Sequence, residues 1–325
     1  MNLRARVVLA AFLFAITLVG VAAGVKLAQL EQRAKIAAAL KSEQLAEENL
    51  AKTGAPALKA DDSFIVKESS KPASKPVEKP VAVVDPDGIS AEAYIVGDIE
   101  TGKVYFEKKA DRILPFASMS KLITALVATH IYESSSTITI TPEEMNVPAD
   151  ASGLKAGESF TVTELLYPLL LNSSNVAGEA LASSTNRTSF LKVMSDYSWE
   201  LGMPESVLAD PTGLSENNSG TARGFFGMAR YLYRERPDIL EITRTATTSV
   251  ATTTDHGAHM FSSIHPFVSD PRFIGGKTGH TPAALDTMLT IFRIDSKTIA
   301  LIVLRSDNRA RDTALLVEKY KKIGS

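Results

Sequence analysis

Three observations predict an α/β (α+β) chain with one antiparallel sheet flanked by helices. Strand-like segments lie near both ends of residues 89–325 with helical segments between them, which suggests a sheet closed by the chain ends. Segments 285–294 and 297–304 are separated only by Asp295-Ser296, a tight turn that makes them an antiparallel pair. Segments 93–98 and 103–108 flank Glu100-Thr101-Gly102 and read as a second hairpin.

Taken in order, residues 1–28 carry an uncharged apolar run, 7–25, behind Arg4 and Arg6. It is long enough to cross a bilayer and reads as a signal anchor, an N-terminal transmembrane helix. Val21-Ala22-Ala23 resembles a cleavage site, so secretion after cleavage is the alternative. Lys26, Arg33, Lys35 and Lys41 outweigh the upstream arginines, and local charge does not set the orientation. Residues 29–88 read as a helical stalk followed by a linker. The stretch 26–52 is rich in helix formers, and Leu27, Leu30, Ala34 and Ala37 have heptad-like spacing. Pro56, Pro72, Pro76, Pro80 and Pro86 then punctuate a Lys/Ser/Ala stretch able to span on the order of 90 Å when extended. Within 89–325, Tyr94, Val96 and Asp98 alternate as in a half-buried strand. An apolar helix is expected over 118–132, and others over 162–171, 174–184, 187–201 and 222–236. A strand over 273–278 and a terminal helix over 309–323 complete the domain.

Composition removes several functions. Lys and Arg number 35 against 37 Asp and Glu, so no large basic surface for nucleic acid is implied. The absence of cysteine excludes thiol catalysis, disulfides and cysteine-ligated metal. His256, His259 and His265 cluster in sequence without carboxylate partners at ligand spacing, so no metal site is expected, and no cofactor motif is present. Gly276-Lys277-Thr278 is not a phosphate loop, because Pro271 stands where its first glycine belongs.

The chemistry is concentrated in three motifs. Ser118-Met119-Ser120-Lys121 sets a serine and a lysine on one helix face, where a desolvated lysine can serve as the base that a serine nucleophile needs. Asn172-Ser173-Ser174-Asn175 supplies S-x-N, and Gly276-Lys277-Thr278-Gly279-His280 supplies K-T-G at a strand end. Each also has decoys. Ser189 and Lys192 repeat the first spacing. Lys52-Thr53-Gly54 lies in the linker, Ser184-Thr185-Asn186 and Ser215-Glu216-Asn217 are loop-like, and Ser306-Asp307-Asn308 reads as a turn and helix cap. Only one ordered set has each member on a suitable element. Glu164 and Glu179 read as solvated helix faces.

With Pro115-x-Ala117 before Ser118, Thr281 after His280, and Gly202-Met203, Asp210-Pro211-Thr212-Gly213-Leu214 and Thr221-Ala222-Arg223 between, the chain resembles the D-alanyl-D-alanine carboxypeptidases, the low-molecular-weight penicillin-binding proteins. The resemblance covers roughly 89–323 and implies a β-lactamase/transpeptidase-like fold. It implies Ser118 as nucleophile, Lys121 as base, Ser173 as proton relay and Asn175 as a holder of the lysine and a substrate amide. Lys277 and Thr278 would take the substrate carboxylate, Gly279 would let the substrate backbone approach, and the amides of Ser118 and His280 would form the oxyanion hole. The implied partners are a peptidoglycan stem peptide ending in D-Ala-D-Ala and β-lactam antibiotics. The implied location is the bacterial membrane, with the enzyme outside the cytoplasm. The alternatives are a D,D-endopeptidase on cross-linked wall, a serine β-lactamase, and a non-catalytic β-lactam or wall binder. The middle motif is Ser-Ser-Asn, and Pro282-Ala283-Ala284-Leu285-Asp286 replaces the glycine-containing stretch usual after K-T-G.

Overall fold

The computed structural model describes residues 88–324. The apolar run, the stalk and the linker lie outside the described residues, and among the described residues no helix is long and apolar enough to cross a membrane. The elements in order are β1 (Ala93–Asp98), β2 (Val104–Lys108), β3 (Leu114–Pro115), α1 (Ser120–Ile131), β4 (Thr137–Thr139), β5 (Ser159–Thr161) and α2 (Val162–Leu170). Then come α3 (Asn175–Ser183), α4 (Arg187–Glu200), β6 (Ser219–Gly220), α5 (Ala222–Glu235), α6 (Pro237–Arg244), β7 (Thr247–Val250) and β8 (His259–Ser262). The chain ends with β9 (Phe273–Thr281), β10 (Leu285–Ile294), β11 (Lys297–Ser306) and α7 (Arg309–Gly324).

The main sheet runs β2-β1-β11-β10-β9, all antiparallel, with β1 paired to β11 from Ala93 opposite Leu304 to Asp98 opposite Ile299. The two chain ends do close the sheet. The alternation expected of β1 is corrected, because all six of its residues are buried. The strand lies inside the sheet, and both its faces are covered. Tyr94 and Val96 join a core with Phe292, Leu301, Leu316 and Tyr320, while α5 packs on β1 and β11. The strand expected over 273–278 runs on to Thr281, where it still pairs with Leu285. Helix α6 and the two-stranded ribbons β3–β6, β4–β5 and β7–β8 add to the elements expected from the sequence.

Helix α1 is buried at every position from Ser120 to Ala128. This explains an apolar run with no polar stripe: the helix is covered on all sides. It begins at Ser120 rather than Ser118, because Ala117–Met119 form a separate 3-10 turn. The two glutamates expected on solvated faces both have structural work. Glu164 completes a capping box with Thr161 at the start of α2, and Glu179 accepts from Arg187 at 2.7 and 3.1 Å.

Asp312 in α7 ties the ends of the domain together. It is fully buried and accepts from Ser90 Oγ, Ala91 N–H and Ser306 Oγ at 2.7 Å each, and from Ser90 N–H at 3.2 Å. The cap expected at Ser306-Asp307-Asn308 is present, with Arg311 N–H donating to Asn308 Oδ1 at 2.9 Å. Asp312→Ala would strand these buried donors and should destabilise the domain by about 3 kcal/mol. Urea unfolding followed by circular dichroism checks this, and an unchanged midpoint would contradict it.

Candidate active site

Four elements converge on Lys121. Helix α1 carries the lysine, fully buried, one turn from Ser118. Its Nζ lies 2.9 Å from Ser118 Oγ, 2.7 Å from Asn175 Oδ1 and 2.6 Å from the Thr212 carbonyl oxygen. Loss of hydration pushes its pKa down to about 7, against the opposing pull of Asp210, Asp150 and Glu179. At neutral pH a large share of the amine is therefore uncharged. A neutral amine has two N–H groups and one lone pair. Asn175 Oδ1 and the Thr212 carbonyl can only accept, so they take the two N–H groups. The lone pair is left facing Ser118 Oγ, the one neighbour with a proton to give.

Ser118 is partly exposed, and the backbone before it is bent by Ala117 at φ 50, a left-handed conformation at a non-glycine residue. Gly279 of β9 and Gly213 of the 210–215 loop press on that bend. A Cβ at Gly279 would come within 2.9 Å of the Ser118 nitrogen, and one at Gly213 within 2.0 Å of the Ala117 oxygen. Gly213 also has φ +85. Thr287 donates to the Phe116 carbonyl at 2.9 Å, so β10 holds the same turn from below.

The 210–215 loop is organised by Asp210. Burial alone would raise its pKa, but donors from Ser215, Thr212 and Gly213 hold it below the usual carboxylate value. Thr212 and Gly213 N–H donate to Oδ1 at 2.7 and 2.6 Å. Asn218 accepts from Ala209 N–H at 2.7 Å and donates to the Asp210 carbonyl at 3.0 Å. The Asp210 carboxylate is thus consumed by its own loop, and the loop's product is the Thr212 carbonyl on Lys121.

The second lysine, Lys277 on β9, is also fully covered. It donates to Ser173 Oγ and to the Thr278 carbonyl, both at 2.9 Å. Burial, then Lys121 and Arg309, push its pKa well below that of a free lysine. Ser173 has φ 62, between the end of α2 and the Ser174 cap of α3. All eight residues expected from sequence are thus accounted for. Ser118 and Asn175 bond to Lys121, and separately Ser173 bonds to Lys277, with Thr278 and Gly279 following on β9. The exposed side chain of His280 turns to Asp286, with Nδ1 at 2.9 Å from Oδ1. The decoy lysine Lys192 is exposed and pairs with Asp196 at 2.8 Å.

Sequence reasoning missed Asp150, Asn218 and Arg309. Arg309 opens α7 and donates to the Gly279 carbonyl at 2.7 Å. None belongs to a spaced pattern; Asp150 and Arg309 act on distant segments, and Asn218 acts within its own loop. Among the described residues no group of three or more histidines and carboxylates is arranged to hold a metal. His265 is buried and its pKa falls to about 3 through desolvation, so it is a neutral part of the core beside β10.

A covered amine whose lone pair meets an accessible hydroxyl is the equipment of a serine hydrolase. The family model for D-alanyl-D-alanine carboxypeptidases, peptidase family S11, matches residues 80–308, and the chain belongs to that family. It is 26% identical over 247 residues to the D-alanyl-D-alanine endopeptidase of Haemophilus influenzae, covering 74% of this chain and 84% of that one. It is 29% identical over 209 residues to the D-alanyl-D-alanine carboxypeptidase DacB2 of Mycobacterium tuberculosis, covering 63% and 70%. The cefotaxime-bound penicillin-binding protein D2 of Listeria monocytogenes has the same fold, with a TM-score of 0.62, 25% identity, and coverage of 71% of this chain and 96% of that one. The antiparallel sheet with flanking helices is therefore a penicillin-binding, transpeptidase-type fold.

Two predictions follow from this geometry. A protonated Lys121 has no lone pair, so acylation should be slow at acid pH and rise to a plateau with a midpoint near 7. Rate constants for labelling by a fluorescent penicillin between pH 5 and 9 test this, and a flat profile would contradict it. Gly213→Ala should push the Thr212 carbonyl off Lys121 and lower the labelling rate about 100-fold, the usual cost of an ångström of misplacement. Labelling at the parent rate would mean that the loop yields without disturbing the lysine.

Proposed function

We propose that the protein is a membrane-anchored D-Ala-D-Ala carboxypeptidase that trims the terminal D-alanine from peptidoglycan stem peptides through an ester on Ser118. The observation that carries the proposal is the Lys121 amine, buried, depressed to about 7 and set 2.9 Å from Ser118 Oγ. Ser118 Oγ attacks the carbonyl of the penultimate D-alanine while Lys121 accepts its proton. The developing oxyanion is met by the amides of Ser118 and His280, each donor typically worth about 3 kcal/mol. Ser173, in contact with Lys277, relays a proton to the leaving amine. Lys277 has no carboxylate partner of its own among its hydrogen bonds, so the substrate's terminal carboxylate supplies the counter-charge, with Thr278 beside it. Water activated by Lys121 then releases the shortened peptide. β-Lactams enter by the same route and acylate Ser118.

Two alternatives are weighed against particular observations. Hydrolysis of cross-linked peptides is favoured by one: the relative named D-alanyl-D-alanine endopeptidase aligns over 84% of its own length. Rapid β-lactamase turnover is disfavoured, because a carboxylate would have to activate the deacylating water and Asp210, in the loop beside Lys121, is held by its own loop amides.

Mass spectrometry of muropeptides before and after incubation separates the two peptidase readings. Loss of one terminal alanine from monomers, with cross-linked dimers intact, is expected. Ser118→Ala should abolish labelling by fluorescent penicillin in a folded protein. Lys277→Ala should slow turnover of peptides with a free C-terminus far more than their amides, and equal losses on both would remove its assigned role.

The anchor reading rests on the run 7–25 and on the wall substrate. A chain starting at Asp87 should be soluble and fully active on a short D-Ala-D-Ala peptide, whereas the full chain should sediment with membranes. A chain starting at Lys103 lacks β1 and should not fold. Recovery of the full chain in the soluble fraction would refute the anchor.

A further inference from the structure

The loop 148–152 belongs to none of the three motifs, yet it fixes how Asn175 faces Lys121. The carbonyls of Pro148 and Ala149 accept from the Asn175 amide nitrogen at 2.9 and 3.2 Å. That commits the nitrogen to the loop and turns Oδ1 to Lys121 Nζ at 2.7 Å. Asp150 grips the residues on either side. Its Oδ2 accepts from Ser174 Oγ at 2.7 Å and from Val176 N–H at 2.8 Å, and its Oδ1 accepts from the amide of Ser152 at 2.8 Å and from the Ser152 hydroxyl. Ala149 is held at φ 55, left-handed at a non-glycine, a conformation that persists only where its surroundings over-determine it.

We infer that Asp150 is a positioning residue for acyl transfer, holding the 148–152 loop against the start of α3 so that Asn175 offers Lys121 its oxygen and not its nitrogen. The inference rests on the reading of Ser118 and Lys121 as nucleophile and base. The consequence is directional. An amide turned the other way would donate an N–H to Lys121, and the lone pair would be spent accepting it. Ser118 would then have no base, although every motif residue would still be present.

The Asp150 carboxylate also acts at a distance. With Asp210 and Glu179 it favours the charged form of Lys121, and the neighbouring amine, Lys277, is itself held well below the usual lysine value by burial. A residue that merely stiffened the loop would change thermal stability and leave the titration of Lys121 where it was.

The test uses the full chain carrying Asp150→Asn or Ser174→Ala, with thermal midpoints and penicillin-labelling rates measured across pH. For folded Asp150→Asn the plateau labelling rate should fall about 30-fold or more, and the pH midpoint should move down as the carboxylate charge is lost. Ser174→Ala leaves Val176 and Ser152 on Asp150 and should cost about 3- to 10-fold at the plateau. If Asp150→Asn does not fold, Ser174→Ala decides alone. A folded Asp150→Asn that labels within threefold of the parent, or that loses rate with an unmoved midpoint, overturns the inference. So does a Ser174→Ala protein that labels like the parent. A parent that does not label at all overturns the reading of Ser118 itself, whereas a labelled parent beside an unaffected Asp150→Asn overturns this inference only.

Discussion

The site depends on the burial of one amine. Lys121 is stripped of water, which makes it a weak enough acid-holder to be partly neutral at pH 7. A buried amine without partners would be ruinous to stability, and the fold answers with two oxygen acceptors from separate elements. Asn175 arrives on α3, its two neighbours gripped by Asp150, and Thr212 on the 210–215 loop, its amide held by Asp210. The arrangement that makes burial tolerable also aims the lone pair. Stability and reactivity are in this sense one set of hydrogen bonds.

The main sheet supplies the rigidity on which that precision stands. Strand β9 is the edge strand that brings Lys277, Thr278 and Gly279 to the serine, and β10 fixes its register through Lys277 opposite Leu289. Non-glycine residues in left-handed conformations recur at Ala117, which precedes Ser118, at Ala149, whose carbonyl accepts from Asn175, and at Ser173, whose hydroxyl accepts from Lys277. Each such position costs of order 1–3 kcal/mol and is kept only because its neighbours leave no alternative. For Ala117 the neighbours are Gly213, Gly279 and Thr287; for Ala149 the adjacent Asp150 and the Asn175 amide.

Much of this was legible in the residues, and the exceptions are instructive. The 285–294 and 297–304 hairpin was readable because a two-residue turn leaves no choice but antiparallel pairing. The alternation in β1 misled, since Asp98 is buried through bonds to its own turn rather than exposed; its Oδ1 accepts from the amides of Glu100 and Thr101. By its sequence Ser118 reads as part of the helix, because nothing there shows that Ala117 bends left-handed, a bend packed against glycines about 95 and 160 residues away in the chain. Glu164 and Glu179 looked solvated because helical spacing reports a face and not what stands opposite it.

Residue type, spacing and order are enough to pick out the candidate site. Ser118, Lys121, Ser173, Asn175 and Lys277-Thr278-Gly279 stand out because acyl transfer would call on those functional groups, and each lies on an element that can carry it. The state of those groups follows from the closed fold. The depressed pKa of Lys121, the direction of its lone pair and the grip of Asp150, Asp210 and Arg309 on the motif residues arise from desolvation and contacts between distant segments. Local patterns report periodicity and chemistry, whereas burial and hydrogen-bond direction exist only once the chain has closed on itself.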